Sequence, residues 1–340
     1  MTFVAQEQNP AASGPADLRS ELHAVASRCG AYRLDRALVS LAGKDRVRWL
    51  NGMVSNNIRD LAAGRGVYAF VLNPQGQIQG DLYAFNCGET LVLEIERAQA
   101  KLVPQLRRYI IMDKVEVEEL GDAMVIFGIA GPTSDKVLTH LGIALSDSVP
   151  LSISETQWNG INMTVVGGDN PCIPNYEFWV SQEHAEKLQQ ALHDAGAAQI
   201  HEAALEAFRI VCGIPKIGAE IRERTLPQET GQDRALNFNK GCYIGQEIVE
   251  RVRARGGVHR ALTGFELTGE TPPPGTPLQA DGKDVGLITS VGTIAVADGE
   301  HAVALGFLRK EHLSEGATFT AAGATARPVP LPFLSLMKQL

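Results

Sequence analysis

The sequence predicts an α+β fold followed by a small β-barrel or sandwich. Single amphipathic helices alternate with β-hairpins over residues 17–257, an order typical of α+β proteins and not of a doubly wound parallel sheet. After Gly256 and Gly257 the composition changes. The sequence there predicts short strands separated by turns rich in Gly and Pro, such as Thr271-Pro272-Pro273-Pro274-Gly275. We therefore place a domain boundary near residue 258, with a C-terminal domain over residues 258–340.

The first predicted element is a helix over residues 17–30, because Asp17 can cap it, Leu22 and Val25 share a face, and Gly30 can end it. Period-2 apolar patterns bounded by turn residues predict strands, and period-3.6 patterns predict helices. In chain order these are a strand over 32–41, a helix over 45–57, strands over 67–72, 78–85 and 91–96, a helix over 98–111, strands over 114–120 and 124–129, and a helix over 132–141.

The same patterns continue through the second half of the chain. They predict strands over 161–166 and 177–180, helices over 183–195 and 201–212, a helix that begins near Gly245, and strands over 285–291, 302–308 and 318–321. No Gly-x-Gly-x-x-Gly opens a helix, so a Rossmann nucleotide site is not indicated.

The composition is that of a soluble protein of two or three domains. The 340 residues are 44% hydrophobic and 21% charged, and the formal net charge of −8 argues against a general nucleic-acid binder. No apolar run approaches the roughly 20 residues that a membrane-spanning helix needs. Residues 1–16 lack the basic start and apolar stretch of a secretory signal, and we expect a flexible tail there.

The cysteines and histidines indicate neither a disulfide framework nor a metal site. The five cysteines are widely scattered, with no Cys-x-x-Cys pair, and no two histidines have the spacing of a helical metal site. This usage favours a reducing compartment. We expect a cytoplasmic, monomeric protein without a resident metal.

The octapeptide Lys240-Gly241-Cys242-Tyr243-Ile244-Gly245-Gln246-Glu247 has the strongest chemical signal in the chain. It places a thiol beside a cation and just before a predicted helix, and both features favour the thiolate. The two glycines permit a sharp bend around Cys242. The alternative is that Cys242 is a small buried hydrophobe, which is the commoner role of an unpaired cysteine.

Two carboxylates lie in apolar strand patterns. In the strand over 78–85, Asp81 shares a face with Gln79 and Tyr83, so it is either a poised carboxylate or a solvated one. Glu177 stands among Tyr176, Phe178 and Trp179, where a carboxylate needs hydrogen-bond donors. A heterocycle with adjacent N–H groups would supply them, and the alternative is a strand-edge glutamate that faces water.

A basic run follows the octapeptide in a chain that is acidic overall. It contains Arg251, Arg253, Arg255, His259 and Arg260. Such a run is either a solvated face or a surface for carboxylates, phosphates or an RNA backbone.

Taken together, these stretches resemble the YgfZ family, folate-binding proteins related to the glycine-cleavage T-protein, an aminomethyltransferase. The resemblance runs from about residue 30 to the C-terminus. Its carriers are Leu41-Ala42-Gly43-Lys44-Asp45-Arg46, Phe208-Arg209-Ile210-Val211-Cys212-Gly213-Ile214-Pro215, the octapeptide, and Leu331-Pro332-Phe333. The octapeptide is the most specific of these, because Lys-Gly-Cys-Tyr-x-Gly-Gln-Glu marks the YgfZ-like members.

The resemblance implies two ferredoxin-like α+β lobes of the T-protein type around a folate cavity, with a C-terminal β-barrel. It also implies roles for individual residues. Asp81 corresponds to the acid beside the reactive part of the folate, and Glu177 to the carboxylate that pairs with the pterin edge. Tyr68 corresponds to an aromatic residue beside the pterin, and Arg209 to a cavity arginine.

The function that the resemblance implies is tetrahydrofolate binding in support of iron–sulfur cluster assembly or repair and, through it, tRNA modification. Cys242 would be the key thiol, and Lys240 would keep it electron-rich. Its partners would be iron–sulfur assembly proteins or cluster-containing enzymes, since one cysteine cannot hold a cluster that needs about four ligands. Two alternatives are a folate-dependent aminomethyltransferase, in which Asp81 does the polar work, and a direct tRNA-binding module that uses the basic run.

The chain departs from the T-protein pattern at two places. The hairpin carries Gly76-Gln77 and Gly80-Asp81 in place of a glycine pair and two consecutive acids. Asn170-Pro171-Cys172-Ile173 replaces a tyrosine-bearing Tyr-Thr-Gly-Glu stretch. These departures argue against aminomethyl transfer and leave folate binding intact.

Overall fold

The structure is a computed structural model that describes residues 15–145, 149–296, 299–314 and 316–340. Most of the tail predicted for residues 1–16 lies outside the described residues, and the last two of those residues begin the first helix. In the described part of the chain, no helix is both long and apolar enough to cross a membrane.

The helices have these bounds: α1 Pro15–Ser27, α2 Arg46–Met53, α3 Leu102–Arg107, α4 Ser134–His140, α5 Ala185–Asp194, α6 Glu202–Cys212, α7 Gln246–Ala254 and α8 Leu334–Met337. The strands of the first two-thirds are β1 Gly30–Leu34, β2 Arg36–Ala42, β3 Arg65–Leu72, β4 Ile78–Asn86, β5 Leu91–Glu96, β6 Glu116–Glu119, β7 Met124–Ala130, β8 Ile153–Trp158, β9 Ile161–Gly167, β10 Asn175–Ser181 and β11 Ala198–Gln199. The remaining strands are β12 Arg260–Thr268, β13 Pro277–Ala280, β14 Lys283–Val296, β15 Gly299–Arg309, β16 Phe319–Ala321 and β17 Ala324–Val329.

The strands form two open sheets and one closed barrel. One sheet has the order β3-β4-β5-β2-β6, the other has the order β11-β1-β7-β10-β9-β8, and the barrel has the order β12-β15-β14-β13-β16-β17. The predicted α+β class with a C-terminal β-barrel is confirmed. The barrel begins at Arg260 and α7 ends at Ala254, and the boundary near residue 258 stays a prediction.

The strand predicted over residues 32–41 is two strands that belong to different sheets. The chain leaves β1, which pairs with β7, and after Asp35 enters β2, which pairs with β5. The sequence at this crossing contains Asp35-Arg36 but no glycine or proline, so the pattern predicts one strand where the structure has two. The crossing joins the two lobes and places Arg36 between the sheets.

Gly30 opens β1 and does not end α1, which stops at Ser27. A Cβ atom at Gly30 would lie 2.4 Å from Cγ1 of Ile200, so this glycine permits close packing of β1 against the residue that follows β11. Five strands in the described residues were not predicted, namely β8, β11, β12, β13 and β17. The helix predicted over 98–111 is only the six residues of α3, after a 3₁₀ turn over Arg97–Gln99.

The two open sheets pack face to face. Apolar side chains from both sheets fill the seam: Leu38, Phe85, Ile126, Ile153, Val166 and Trp179. Helices cover the outer faces, with α2 and α3 on the five-stranded sheet and α4 and α5 on the six-stranded sheet. Both faces of each sheet are therefore buried, and polar side chains at the edge of the seam have little water around them.

The octapeptide packs directly on the hairpin turn between β3 and β4. Gly245 precedes α7 with a left-handed φ of +84°, and a Cβ there would lie 2.6 Å from the carbonyl oxygen of Asn73. On the other side of the contact, a Cβ at Gly76 would lie 2.7 Å from Cβ of Ile248. Two glycines thus let the hairpin and the start of α7 touch backbone to backbone.

This contact predicts a strong effect of Gly245→Ala on stability. The added methyl group meets both a left-handed φ and a backbone oxygen, so we expect the free energy of unfolding to fall by about 3 kcal/mol. Gly88→Ala is the matched control, because Gly88 has a φ of +83° and nothing within 4 Å of its Cβ position. It should cost only about 1 kcal/mol in urea unfolding. Equal losses would contradict the packing argument.

Candidate functional site

A small cavity of about 50 Å³ lies against the five-stranded sheet, and Ile214, Pro215 and Arg234 close its other side. Acidic, basic and aromatic side chains line it in unusual number: Arg36, Tyr68, Asp81, Tyr83, Glu94, Glu96, Gln99 and Arg234, together with Leu82, Ile214 and Pro215. Two of the six site residues predicted from the sequence, Tyr68 and Asp81, lie in this lining.

Asp81 is held in a cage of hydrogen bonds. The hydroxyl of Tyr68 donates to its Oδ2 at 2.5 Å, and the amide of Gln99 donates to its Oδ1 at 2.6 Å. Gln99 also accepts from the backbone N–H of Asp81 at 2.9 Å. Burial raises the pKa of Asp81, and the two donors oppose that rise. The structure therefore presents a fixed, partly desolvated carboxyl group and not a freely solvated one, and a chemical role for Asp81 stays a prediction.

A second network covers the ring of Tyr68. The guanidinium of Arg234 lies 4.6 Å from the ring centroid and forms an ion pair with Asp169. Asp169 also accepts a hydrogen bond of 3.1 Å from the hydroxyl of Tyr83, whose ring is 5.0 Å from that of Tyr68. The face of Tyr68 that could stack on a flat ligand is therefore occupied by an arginine in this structure.

Glu177 lies on β10 and is only 8% exposed, so the water-facing alternative is wrong. Its Oε1 accepts from Nη1 of Arg36 at 3.1 Å, while its Oε2 has no hydrogen-bond partner. Nη1 of Arg36 also donates to buried Glu94 at 2.5 Å. Burial and the neighbouring Glu94 raise the pKa of Glu177 to about 8. The indole N–H of Trp179 is buried on the same strand face without a hydrogen bond of normal length, yet it is close enough to Glu177 to oppose the rise of its pKa.

Arg36 was missed by the sequence reasoning, and so was Arg234. The available signal for Arg36 was the charged pair Asp35-Arg36 inside the predicted strand over residues 32–41, and this pair carries no sign of which carboxylates Arg36 contacts. What makes Arg36 important is the crossing between the sheets, which brings Glu94 of one lobe and Glu177 of the other to a single guanidinium.

Arg209 lies apart from the cavity lining, and its guanidinium is fully engaged elsewhere. Nε and Nη2 bind Glu206 in a bidentate pair, and Nη1 donates to Glu220, which is completely buried. Further bonds reach the carbonyl of Ile214 and the hydroxyl of Ser290 in the barrel. Arg209 thus connects α6 to the barrel through hydrogen bonds. Its role in binding a ligand stays a prediction.

Lys240 points away from solvent and into the end of helix α2. Its ammonium donates to the carbonyl oxygens of Asn51, Val54 and Asn56 at 2.7, 2.6 and 2.6 Å. Burial and the charge of Arg59 lower the pKa of Lys240 to about 7, while the three carbonyls stabilise its charged form. All three N–H bonds are used, so none remains to donate to Cys242.

Cys242 is exposed, so the buried alternative for this residue is wrong. It lies four residues before α7, on a loop that Lys240 and Gly245 fix on either side. The octapeptide is therefore a clamped loop that presents one thiol to solvent. The chemical role of Cys242 stays a prediction.

The basic run after the octapeptide is largely neutralised within the chain. Arg251 pairs with Glu247, and Arg253 pairs with Glu250. Arg260 forms a bidentate pair with Glu229 at 2.9 Å. These pairs favour the solvated-face alternative. Across residues 15–145, 149–296, 299–314 and 316–340, no group of three or more His, Cys, Asp or Glu side chains is arranged to hold a metal ion.

Comparison with known proteins places this architecture in a family. The family described as the GCVT N-terminal domain matches residues 11–240, and the CAF17 C-terminal β-barrel domain matches residues 259–334. The tRNA-modifying protein YgfZ of Yersinia pseudotuberculosis is 33% identical over 234 residues, which are 67% of this chain and 68% of that protein.

The chain belongs to the GCVT family, in its YgfZ/CAF17 group. The resemblance found in the sequence is thereby confirmed. An aminomethyltransferase of Rubrobacter xylanophilus is 27% identical over 94% of this chain and 86% of its own length. A chloroplastic relative from Arabidopsis thaliana is 26% identical over 83% of this chain, and the chain spans 65% of that relative's length.

One solved structure has the same fold as this protein over almost the whole length of both chains. The crystal structure of the glycine cleavage system aminomethyltransferase T from Bartonella henselae has a TM-score of 0.83 and covers 94% of this chain and 90% of its own. At 22% identity this likeness shows the fold alone.

The raised pKa of the buried Glu177 carboxyl group predicts that the stability of the protein depends on pH. A native pKa raised from 4.5 to about 8 means that the folded protein holds a proton that the unfolded chain releases. The contribution of Glu177 is therefore fully present below pH 4.5 and is lost as the pH rises towards 8. We expect urea unfolding between pH 5 and 8 to show a decline on the order of 2 kcal/mol that Glu177→Gln flattens.

Glu118→Gln is the control, because Glu118 is an exposed glutamate on β6. It should leave the pH profile of the parent unchanged. A Glu177→Gln profile as steep as that of the parent would show that another group carries the proton.

Proposed function

We propose that this protein binds tetrahydrofolate, or a one-carbon derivative of it, between its two lobes. Through Cys242 it supports iron–sulfur cluster assembly or repair and, by that route, tRNA modification. The observation that carries the proposal is the buried Oε2 of Glu177, a carboxylate oxygen without a donor at the meeting point of the lobes. The shared family with a protein named for tRNA modification supports the second part.

The donors and acceptors of the site suit a pterin. The edge of a pterin offers a ring N–H and an exocyclic amine side by side, and a carboxylate accepts both in a bidentate contact. Glu177, whose raised pKa favours the protonated form in the free protein, would lose its proton on binding to make that contact. In the described part of the chain, Nε and Nη2 of Arg36 have no hydrogen-bond partner, so Arg36 retains donors for a ring carbonyl. Tyr68 would lie against the flat face of the ring.

Entry of such a ligand requires side chains to move. A cavity of about 50 Å³ has room for water, whereas ligand pockets typically measure about 300–1,000 Å³. The side chains of Arg36 and Arg234 are 20% and 35% exposed, and these are the groups that cover Glu177 and Tyr68. Their displacement would open the cavity without disturbing the sheets.

The folate part is tested by titration of the protein with tetrahydrofolate under nitrogen. Intrinsic fluorescence should report saturable binding, since Trp179 lies two residues from Glu177 on the same strand face. Glu177→Gln puts an amide donor where the pterin needs an acceptor, so we expect the Kd to rise about 100-fold. Glu118→Gln should bind like the parent. Equal affinity for both variants would contradict the assignment of Glu177.

The thiol part is tested by complementation in a strain that lacks its YgfZ protein. We expect Cys242→Ala to fold normally, because the side chain is exposed, and to lose the ability to restore cluster-dependent enzyme activity. Cys87→Ala is the control, since Cys87 is another exposed cysteine. Full restoration by Cys242→Ala would remove the thiol from the mechanism.

One observation favours a second candidate, a folate-dependent aminomethyltransferase. Asp81 has a raised pKa and is oriented by Tyr68 and Gln99, an arrangement suited to managing a proton or positive charge at a transferring carbon. If the protein is such an aminomethyltransferase, Asp81→Asn would abolish transfer of an aminomethyl group to tetrahydrofolate, whereas Cys242→Ala would not. Complementation that depends on Cys242 and survives Asp81→Asn would favour the first candidate.

A further inference from the structure

The loop over residues 168–174, between β9 and β10, is built around one amide oxygen. Oδ1 of Asn170 accepts the backbone N–H of Cys172 at 2.8 Å and that of Ile173 at 3.3 Å. This is the segment in which the chain departs from the T-protein sequence, and the departure introduces Cys172. The amide holds the loop in a tight turn with its thiol half-buried.

The thiol of Cys212 donates to the same oxygen. Cys212 is the last residue of α6, is 3% exposed, and donates from Sγ to Oδ1 of Asn170 at 3.7 Å. A hydrogen bond from Cys212 lowers the pKa of Cys172, whereas burial raises the pKa of Cys212. The pair is thus unequal, with an accessible thiol of greater thiolate character and a buried partner.

A cavity reaches Cys212, the buried member of this pair. Cys212 and Pro171 both lie in the wall of a cavity of about 630 Å³ between the six-stranded lobe and the barrel. Thr230 and Thr263 also line that cavity, so it is not closed by apolar side chains alone. Its volume admits a peptide-sized thiol or disulfide.

The loop also holds part of the candidate folate site. Asp169 precedes Asn170, and its carboxylate binds Arg234 and the hydroxyl of Tyr83. Arg234 in turn covers the ring of Tyr68. Any constraint on this loop therefore reaches the group that has to move for the cavity to open.

We propose that Cys172 and Cys212 form a reversible intramolecular disulfide that locks the 168–174 loop and keeps the cavity covered by Arg234. The disulfide itself is independent of the proposed function, and only its effect on tetrahydrofolate binding rests on that function.

The oxidant is a small disulfide of the glutathione class. The Cys172 thiolate attacks one sulfur of glutathione disulfide, which forms a mixed disulfide and releases one glutathione thiolate. Cys212 then loses its proton and attacks the sulfur of Cys172, which closes the protein disulfide and releases the second glutathione. Two protein thiols lose two electrons and two protons, and these reduce one glutathione disulfide to two glutathione molecules.

The test equilibrates the full chain with mixtures of reduced and oxidised glutathione, blocks free thiols and maps the digest by mass spectrometry. We expect a linked Cys172–Cys212 peptide that disappears on reduction, in the parent and in the control Cys87→Ser. Cys172→Ser and Cys212→Ala should not form it, and circular dichroism checks that both are folded. Separate recovery of the two blocked cysteines at every ratio would overturn the proposal.

Two further measurements test the locking of the loop. Amide hydrogen exchange of residues 168–175 should slow about tenfold on oxidation in the parent and not in Cys172→Ser. After removal of glutathione, the oxidised protein should bind tetrahydrofolate about tenfold more slowly than the reduced protein. Unchanged exchange or equal rates would overturn the lock. If neither form binds tetrahydrofolate, the proposed function fails, while mapping and exchange still decide the disulfide.

Discussion

The face-to-face packing of the two open sheets is the constraint on which the candidate site depends. The seam of Phe85, Trp179 and their neighbours excludes water from both sheets at once. Charged groups at its edge must therefore satisfy one another, and one guanidinium, that of Arg36, serves Glu94 and Glu177 together. One carboxylate oxygen of Glu177 is left without a hydrogen-bond partner, and this is the acceptor that the proposed ligand would engage.

The octapeptide contains one buried charged residue, Lys240, and one exposed thiol, Cys242. Lys240 is a structural cation that binds the carbonyl end of α2, where the partial negative charge of a helix gathers. Gly245 lets the loop lie against the hairpin that leads to Asp81. Cys242 is left at the surface between these two anchors. A specific motif can therefore serve mainly to hold one side chain in a fixed, accessible position.

The site and the thiol pair differ in how far they follow the family. The two sheets that carry Glu177, Tyr68 and Asp81 belong to the shared architecture. The 168–174 loop does not, since Asn170 and Cys172 stand in a stretch where the sequence departs from that pattern. Variation in a loop over a rigid scaffold is the usual way in which one fold acquires different control.

The sequence by itself determined the class of the fold, the C-terminal barrel and the most specific motif. Periodicity located the hairpin of β3 and β4 and the start of α7 at Gly245, because turn glycines and apolar alternation act over a few residues. It also singled out Glu177, because a carboxylate among aromatics is costly wherever the strand lies.

Only the tertiary structure decided which charges meet. The split of residues 32–41 into β1 and β2 has no local signal, yet it places Arg36 between the lobes. The contacts of Lys240 also have no local signal, because its carbonyl partners lie more than 180 residues away. Arg209 likewise bonds to Ser290 of the barrel and does not line the cavity. Partners so distant in the chain are brought together by the packing of sheets, and a local pattern carries no record of that packing.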